Sequence, residues 1–188
     1  MEGTPNVIVA LAQVAFVLAA FGTFLRFPPR SALLLVVAGG FLFLPVFAGT
    51  AYAAPLLRRK EMLIAGVALA ASLMVDRHRW VRFRPRLLDL PAAVFCLAPI
   101  ATSLTNGLGL YDGLQAAFQE SFTWGVPYLL GRLYLGDLSG LRELARTVVA
   151  AALVYTPLCL WEVRMSPQLH YQVFGYRPYA GFVQSVRM

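Results

Sequence analysis

A histidine and two arginines lie in the C-terminal tail beyond Arg164: His170, Arg177 and Arg187. A guanidinium binds phosphate oxygens through two parallel donors. An imidazole can transfer a proton near neutral pH. Together these groups suit a site that binds a pyrophosphate at a membrane surface. Scattered surface residues of the same types would produce the same pattern, so both interpretations stay open at this point.

Two glutamates are further candidates because each lies within or beside an apolar stretch. Glu120 shares a predicted helix with Arg132, about 18 Å further along the axis, and ionisable groups inside a membrane usually face protein or a water-filled cavity. Glu120 therefore either lines an outward-facing pocket or simply lies near one surface while Arg132 extends to the other. Glu162 and Arg164 form either an interfacial ion pair or a polar site at the mouth of a helix bundle.

The composition is that of a membrane protein. The chain has 188 residues, of which 59% are hydrophobic and 13% charged, with a mean hydropathy of +0.67. Soluble domains carry about 25% charged residues. The net charge of +7 comes from basic residues in short gaps between apolar stretches, which favours anionic lipid headgroups as partners over nucleic acid.

Six apolar stretches predict an all-α, polytopic transmembrane bundle of about six helices. They cover residues 6–24, 31–49, 62–75, 87–104, 113–135 and 141–161. The third stretch is shorter than the roughly 20 residues that a spanning helix needs. It can still cross if Lys60 and Arg77 extend their side chains to the two surfaces.

The orientation follows from an arginine-rich gap. Residues 77–86 contain five arginines, and such gaps stay in the cytosol. Alternation then places residues 26–30 and 132–146 on the same side. The tail from Glu162 lies outside, where its aromatic residues suit the headgroup zone. The basic residues 58–60 disagree, because alternation places them outside.

This orientation divides the chain into a transmembrane bundle, residues 1–161, and an outer interfacial tail, residues 162–188. The sequence predicts no cofactor and no metal site. Cys96 and Cys159 lie inside apolar stretches without metal-ligand spacing. The glycine loops and catalytic motifs of soluble nucleotide-binding and hydrolytic enzymes do not occur.

Several polar landmarks follow one another in the second half of the chain. They are Leu88-Asp89-Leu90 opening a helix, Ser103 to Asn106 at its outer end, the segment from Trp124 to Arg132, Leu160-Trp161-Glu162, and a tyrosine-rich tail with Arg177 and Arg187. This order resembles the N-terminal half of the O-antigen ligase and polymerase-like membrane proteins, over roughly residues 86–188. Those proteins are multi-helix enzymes of the GT-C type.

The resemblance implies transfer of glycans from an undecaprenyl-pyrophosphate carrier at the outer face of the bacterial inner membrane, without a metal. It implies pyrophosphate binding by Arg187, with Arg177 as the alternative. Glu162, Glu120 and His170 would shape the substrate pocket. Family members are longer, so we expect these residues to lead into a C-terminal half that carries the catalytic base. The alternative is a non-enzymatic polytopic protein, such as a transporter subunit or assembly partner.

Overall fold

The computed structural model describes residues 6–45, 59–165 and 169–176, and these residues form helices without any strand. The α-helices of this described part are α1 (Val7–Arg26), α2 (Pro29–Phe43), α3 (Lys60–Val75), α4 (Arg77–Val81), α5 (Leu90–Thr105), α6 (Leu110–Glu120), α7 (Val126–Tyr134), α8 (Leu138–Met165) and α9 (Leu169–Phe174). A 3-10 turn, Leu87–Asp89, leads into α5. The predicted all-α class is confirmed for these residues.

Three helices of the described part are long and apolar enough to cross a membrane: Val7–Arg26, Leu87–Thr105 and Leu138–Arg164. Each corresponds to a predicted apolar stretch. α2 is apolar but only 15 residues long. The chain is therefore compatible with a membrane-embedded protein.

The short third stretch forms the centre of the bundle. α3 packs against α1, α2 and α7, and its Ala68 and Ala71 have no exposed surface. Its 16 residues span about 24 Å. Neighbouring helices therefore enclose most of α3, while its last residues, Leu73, Met74 and Val75, are exposed.

A π-helical segment, Ser121–Gly125, joins α6 and α7 into one continuous rod. The rod begins at Leu110, three residues before the predicted start at Gly113. A tight turn separates it from α5. Gly107 adopts φ of 71°, and the Leu108 N–H donates to the Ser103 carbonyl at 2.9 Å. The left-handed backbone of Gly107 thus allows N–H groups beyond the helix to bond carbonyls in the last turn of α5.

Two other helix boundaries differ from prediction. α2 ends at Phe43, since Pro45 cannot continue it, and the predicted residues 46–49 lie outside the described part. Residues 138–140, which precede the predicted stretch 141–161, form the first turn of α8. The Asp137 carboxylate accepts the Gly140 N–H at 2.9 Å and so caps this helix. α8 then continues past Trp161 to Met165.

The gaps between helices separate into two ends. Arg30 bonds to Asp137 at 2.7 Å, and Arg132 pairs with Asp89. These contacts bring residues 26–31, 76–89 and 132–143 together, and we call this set the basic end. It contains nine arginines against four acidic residues. The gaps that the sequence places on one side thus meet in the structure.

The opposite end contains the start of α1, the start of α3 and α9. The Asn6 side-chain amide donates to the Val173 carbonyl at 2.9 Å, and Lys60 donates to the Phe41 carbonyl at 3.3 Å. The basic residues Arg59 and Lys60 therefore lie away from the basic end.

Candidate functional site at the basic end

A polar cluster joins the start of α5 to the end of α7. The Asp89 carboxylate forms an ion pair with Arg132, and the two side chains are only 15% and 19% exposed. The Tyr128 hydroxyl donates to Asp89 Oδ1 at 2.7 Å, and the Arg86 N–H donates to Asp89 Oδ2 at 2.7 Å. Asp89 therefore accepts one hydrogen bond from α7, through Tyr128, and one from the backbone of Arg86, just before the 3-10 turn.

The Arg132 guanidinium makes further contacts with the arginine-rich stretch. It donates to the Arg84 carbonyl at 3.2 Å and lies 5.1 Å from the centre of the Phe83 ring. A half-buried charge pair is stable only when additional bonds satisfy its remaining donors and acceptors. These contacts of Arg132 hold residues 83–89 against α7.

Local helix geometry positions two of the three members. Tyr128 and Arg132 are four residues apart in α7, so they lie on one face. Asp89 closes the 3-10 turn directly before α5. The close packing of α5 against the rod then brings this turn to that face.

An apolar groove runs from the cluster along α5 and the rod. Its volume is about 340 Å³. It is lined by Asp89, Ala92, Ala93, Cys96 and Leu97 on one wall and by Ser121, Gly125, Val126, Tyr128 and Leu129 on the other. From Asp89 to Leu97 the helix rises about 12 Å. The polar atoms of Asp89 and Tyr128 lie at one mouth, and the rest of the groove is mainly hydrocarbon.

The π segment brings the rod close to α5 at the inner end of the groove. A Cβ on Gly125 would lie 3.0 Å from Cys96 Sγ, so a side chain there would have little room. Cys96 Sγ also lies 4.0 Å from the Glu120 carbonyl oxygen. Single-turn π segments inside α-helices are frequent at functional sites.

A second, exposed cluster links α1–α2 to α8. Arg30 contacts the Asp137 carboxylate at 2.7 Å and the Ser139 hydroxyl at 2.8 Å. The Arg30 bond, with support from the Gly140 N–H and Ser139, lowers the pKa of Asp137 to about 2. Nearby, the Ser31 hydroxyl donates to Glu143 at 2.6 Å.

A third contact set attaches α4 to the core. Trp80 Nε1 donates to the buried Ser72 hydroxyl at 3.2 Å, and Arg79 pairs with Asp76 at 3.0 Å. The Arg79 guanidinium also lies 4.9 Å from the ring centre of Tyr134. The arginine-rich stretch is thus partly a short helix packed on α3 and α7, where the sequence indicated only a loop.

The predicted site residues that the structure describes do not meet. Glu120 is half-buried at the junction of α6 and the π segment, and Glu162 is half-buried in the last turns of α8. Within residues 6–45, 59–165 and 169–176, no ion pair or hydrogen bond joins Glu120, Glu162 and His170.

His170 belongs to a local aromatic cluster. Its Nδ1 lies 3.1 Å from the Tyr176 carbonyl oxygen, which makes Nδ1 the donor. Its ring is 4.9 Å from the rings of Phe174 and Tyr176. Burial raises the pKa of Tyr176 to about 12. His170 therefore packs against the residues that follow α9, and its buried Nε2 has no hydrogen-bond partner among the residues that the structure describes.

Arg177 and Arg187 lie outside the described residues, so their roles remain predictions. Sequence reasoning considered Arg132 but missed its partner Asp89, 43 positions earlier. The available signal was the four-residue spacing of Tyr128 and Arg132, which places a hydroxyl and a guanidinium on one helix face.

Comparison with known proteins gives no match to a protein-family model, to a curated protein or to a solved structure.

Proposed function

We propose that this chain is the N-terminal part of an O-antigen ligase or polymerase-like enzyme of the bacterial inner membrane. One observation carries the proposal. The resemblance rests on separate landmarks, and two of them, Leu88–Leu90 and Trp124–Arg132, contact each other through Asp89, Tyr128 and Arg132. Landmarks that only happened to follow one another in sequence would have no reason to pair.

The proposed fold is a GT-C-like bundle in which about six helices cross the membrane. α2, α3 and the rod would then span together with the three longest apolar helices. The basic end faces the cytosol, as its excess of arginines favours. α9 then lies on the outer face, and the chain continues from there toward Arg177 and Arg187.

The proposed reaction transfers a glycan from undecaprenyl pyrophosphate to an acceptor hydroxyl. The hydroxyl oxygen attacks the anomeric carbon, the bond from that carbon to the pyrophosphate oxygen breaks, and undecaprenyl pyrophosphate leaves. Arg187, with Arg177, would stabilise the charge that develops on the leaving group. Glu120, Glu162 and His170 would shape the outer pocket. A base from sequence outside these residues would take the hydroxyl proton.

The test is complementation of a surface-polysaccharide ligase mutant with the full-length gene. We expect Arg187→Ala to abolish polymer transfer at unchanged protein level in the membrane, and Arg187→Lys to restore part of it. Arg142→Ala, at the basic end, serves as the matched control and should retain activity. Full activity of Arg187→Ala would remove the assigned role.

A second candidate is a non-enzymatic polytopic protein, such as a transporter subunit or assembly partner. The observation that favours it is the separation of Glu120, Glu162 and His170 in the described part of the chain. Purified full-length protein distinguishes the two candidates. Transfer of glycan from an undecaprenyl-pyrophosphate donor supports the enzyme, while binding without turnover supports the second candidate.

A further inference from the structure

We propose that the groove between α5 and the α6–α7 rod binds one acyl chain of an anionic phospholipid, whose phosphate lies against the arginines of residues 82–86. This site lies at the basic end, so it is separate from the proposed glycan site on the other face.

The groove matches a hydrocarbon chain in length and lining. It extends about 12 Å along α5, from Asp89 to Leu97. Its walls are mainly alanine, leucine, valine and cysteine side chains, with small residues at Ala92 and Ala93 leaving the space open. A chain entering beside Asp89 would run from headgroup depth toward the membrane interior, as the lipids of that leaflet do.

Charge at the mouth selects an anionic headgroup. Arg82, Arg84 and Arg86 have exposed side chains, and none of them takes part in the ion pairs of the described residues. The one carboxylate at the mouth, Asp89, is already neutralised by Arg132 and bonded by Tyr128. A phosphate would therefore meet unpaired guanidinium groups without repulsion from an unpaired carboxylate.

An anionic phospholipid fits these features better than a free phosphate. The arginines alone would accept either one, but only a lipid would also fill the apolar groove. Each Lys or Arg near an anionic membrane surface adds to the attraction for anionic lipids. The arginines thus supply preference for the headgroup, and the groove supplies preference for the chain.

Trp124 provides a local probe, because it is 60% exposed and adjoins Gly125 in the groove wall. Detergent-solubilised protein would be titrated with phosphatidylglycerol or phosphatidylcholine carrying brominated acyl chains. The signal is the tryptophan quenching that disappears in Trp124→Phe. We expect phosphatidylglycerol to quench at a concentration at least about tenfold lower than phosphatidylcholine.

Two pairs of variants separate the chain from the headgroup. Ala93→Leu fills the groove and should weaken quenching, while Ala98→Leu, on the same helix but outside the groove lining, should not. Arg84→Gln with Arg86→Gln should abolish the preference for phosphatidylglycerol. Arg142→Gln with Arg146→Gln, which removes the same charge elsewhere, should preserve it. The arginine variants are on the surface and remain informative if Ala93→Leu does not fold.

Several outcomes would overturn the proposal. Equal quenching by both lipids would indicate ordinary surrounding lipid. If Ala93→Leu and Ala98→Leu changed the quenching equally, the groove would not be where the acyl chain binds. If millimolar inorganic phosphate fully displaced the lipid, the arginines would bind a free anion and not specifically a lipid phosphate. The quenching experiment does not measure glycan transfer, so a negative result would overturn the lipid site without bearing on the proposed function.

Discussion

The two ends of the bundle are held together by different interactions. All three ion pairs of the described residues lie at the basic end. Arg30 links α2 to Asp137 before α8, Arg132 links α7 to Asp89 before α5, and the Arg79–Asp76 pair is local to the start of α4. At the opposite end the described contacts are hydrogen bonds and close helix packing. The difference follows from the charge that each end carries.

Close packing at the opposite end depends on glycine. A Cβ on Gly113 would lie 3.0 Å from the Ile100 Cα and 3.1 Å from the Ser103 Cβ. Small residues of this kind allow membrane helices to approach closely, which strengthens dispersion contacts and needs no charged group. Gly113 therefore brings α6 against α5 where the two helices meet beyond the turn.

Packing at the basic end depends on charge compensation instead of on small residues. Nine arginines in a small volume repel one another unless acidic groups and carbonyls are placed among them. Asp76, Asp89 and Asp137 each pair with one arginine. The comparison teaches that an excess of positive charge, which sets orientation, can coexist with tight helix contacts when a few carboxylates lie between the arginines.

The largest expected effect is the loss of the half-buried ion pair. Arg132→Leu leaves Asp89 partly buried without its cation, and we expect the free energy of unfolding to fall by about 3 kcal/mol. The matched control is Arg30→Leu, which breaks an exposed pair and should cost far less. Unfolding in mixed micelles measures both. Equal losses would refute the distinction between the two pairs.

A smaller effect is expected from glycine at the opposite end. Gly113→Ala forces α5 and α6 apart and should lower the free energy of unfolding by about 1–2 kcal/mol. A Cβ on Gly131 would meet nothing within 4 Å, so Gly131→Ala should be neutral or stabilising by up to about 1 kcal/mol. Identical behaviour of the two variants would show that the α5–α6 contact is looser than described.

The smallest effect concerns acid stability. The pKa of Asp137 is lowered from 3.8 to about 2, chiefly by Arg30. A carboxyl group whose pKa is lower in the folded state stabilises the fold above its ordinary pKa, and this contribution disappears as pH falls from about 4 to 2. The Tm of the native chain should therefore approach that of Asp137→Asn over this range. A constant Tm difference down to pH 2 would contradict the lowered pKa.

Much of the fold was predictable because apolar stretches report helices directly. The stretches at 6–24, 87–104 and 141–161 became α1, α5 and α8 with shifts of a few residues. The helix ends were less predictable, because they depend on single side chains. Asp137 caps α8, which begins three residues before the predicted stretch 141–161, and the Gly107 turn allows α6 to start at Leu110.

The candidate site was predictable only in part. The sequence singled out Arg132 as an unusual ionisable group and included Asp89 among its landmarks. Their pairing depends on how α5 packs against the rod, and periodicity within one helix cannot reveal it. Glu120, Glu162 and His170 were chosen by residue type, and the structure places them on α6, α8 and α9 without a mutual contact.

The orientation of the two ends can be measured directly. In a Cys96→Ala, Cys159→Ala background, one cysteine is installed at Arg82 of the basic end or at Gln172 of α9, and intact cells are treated with an impermeant thiol reagent. We predict that position 172 is labelled in intact cells and that position 82 is labelled only after permeabilisation. Labelling of position 82 but not position 172 in intact cells would contradict the cytosolic basic end and, with it, the proposed outer glycan site.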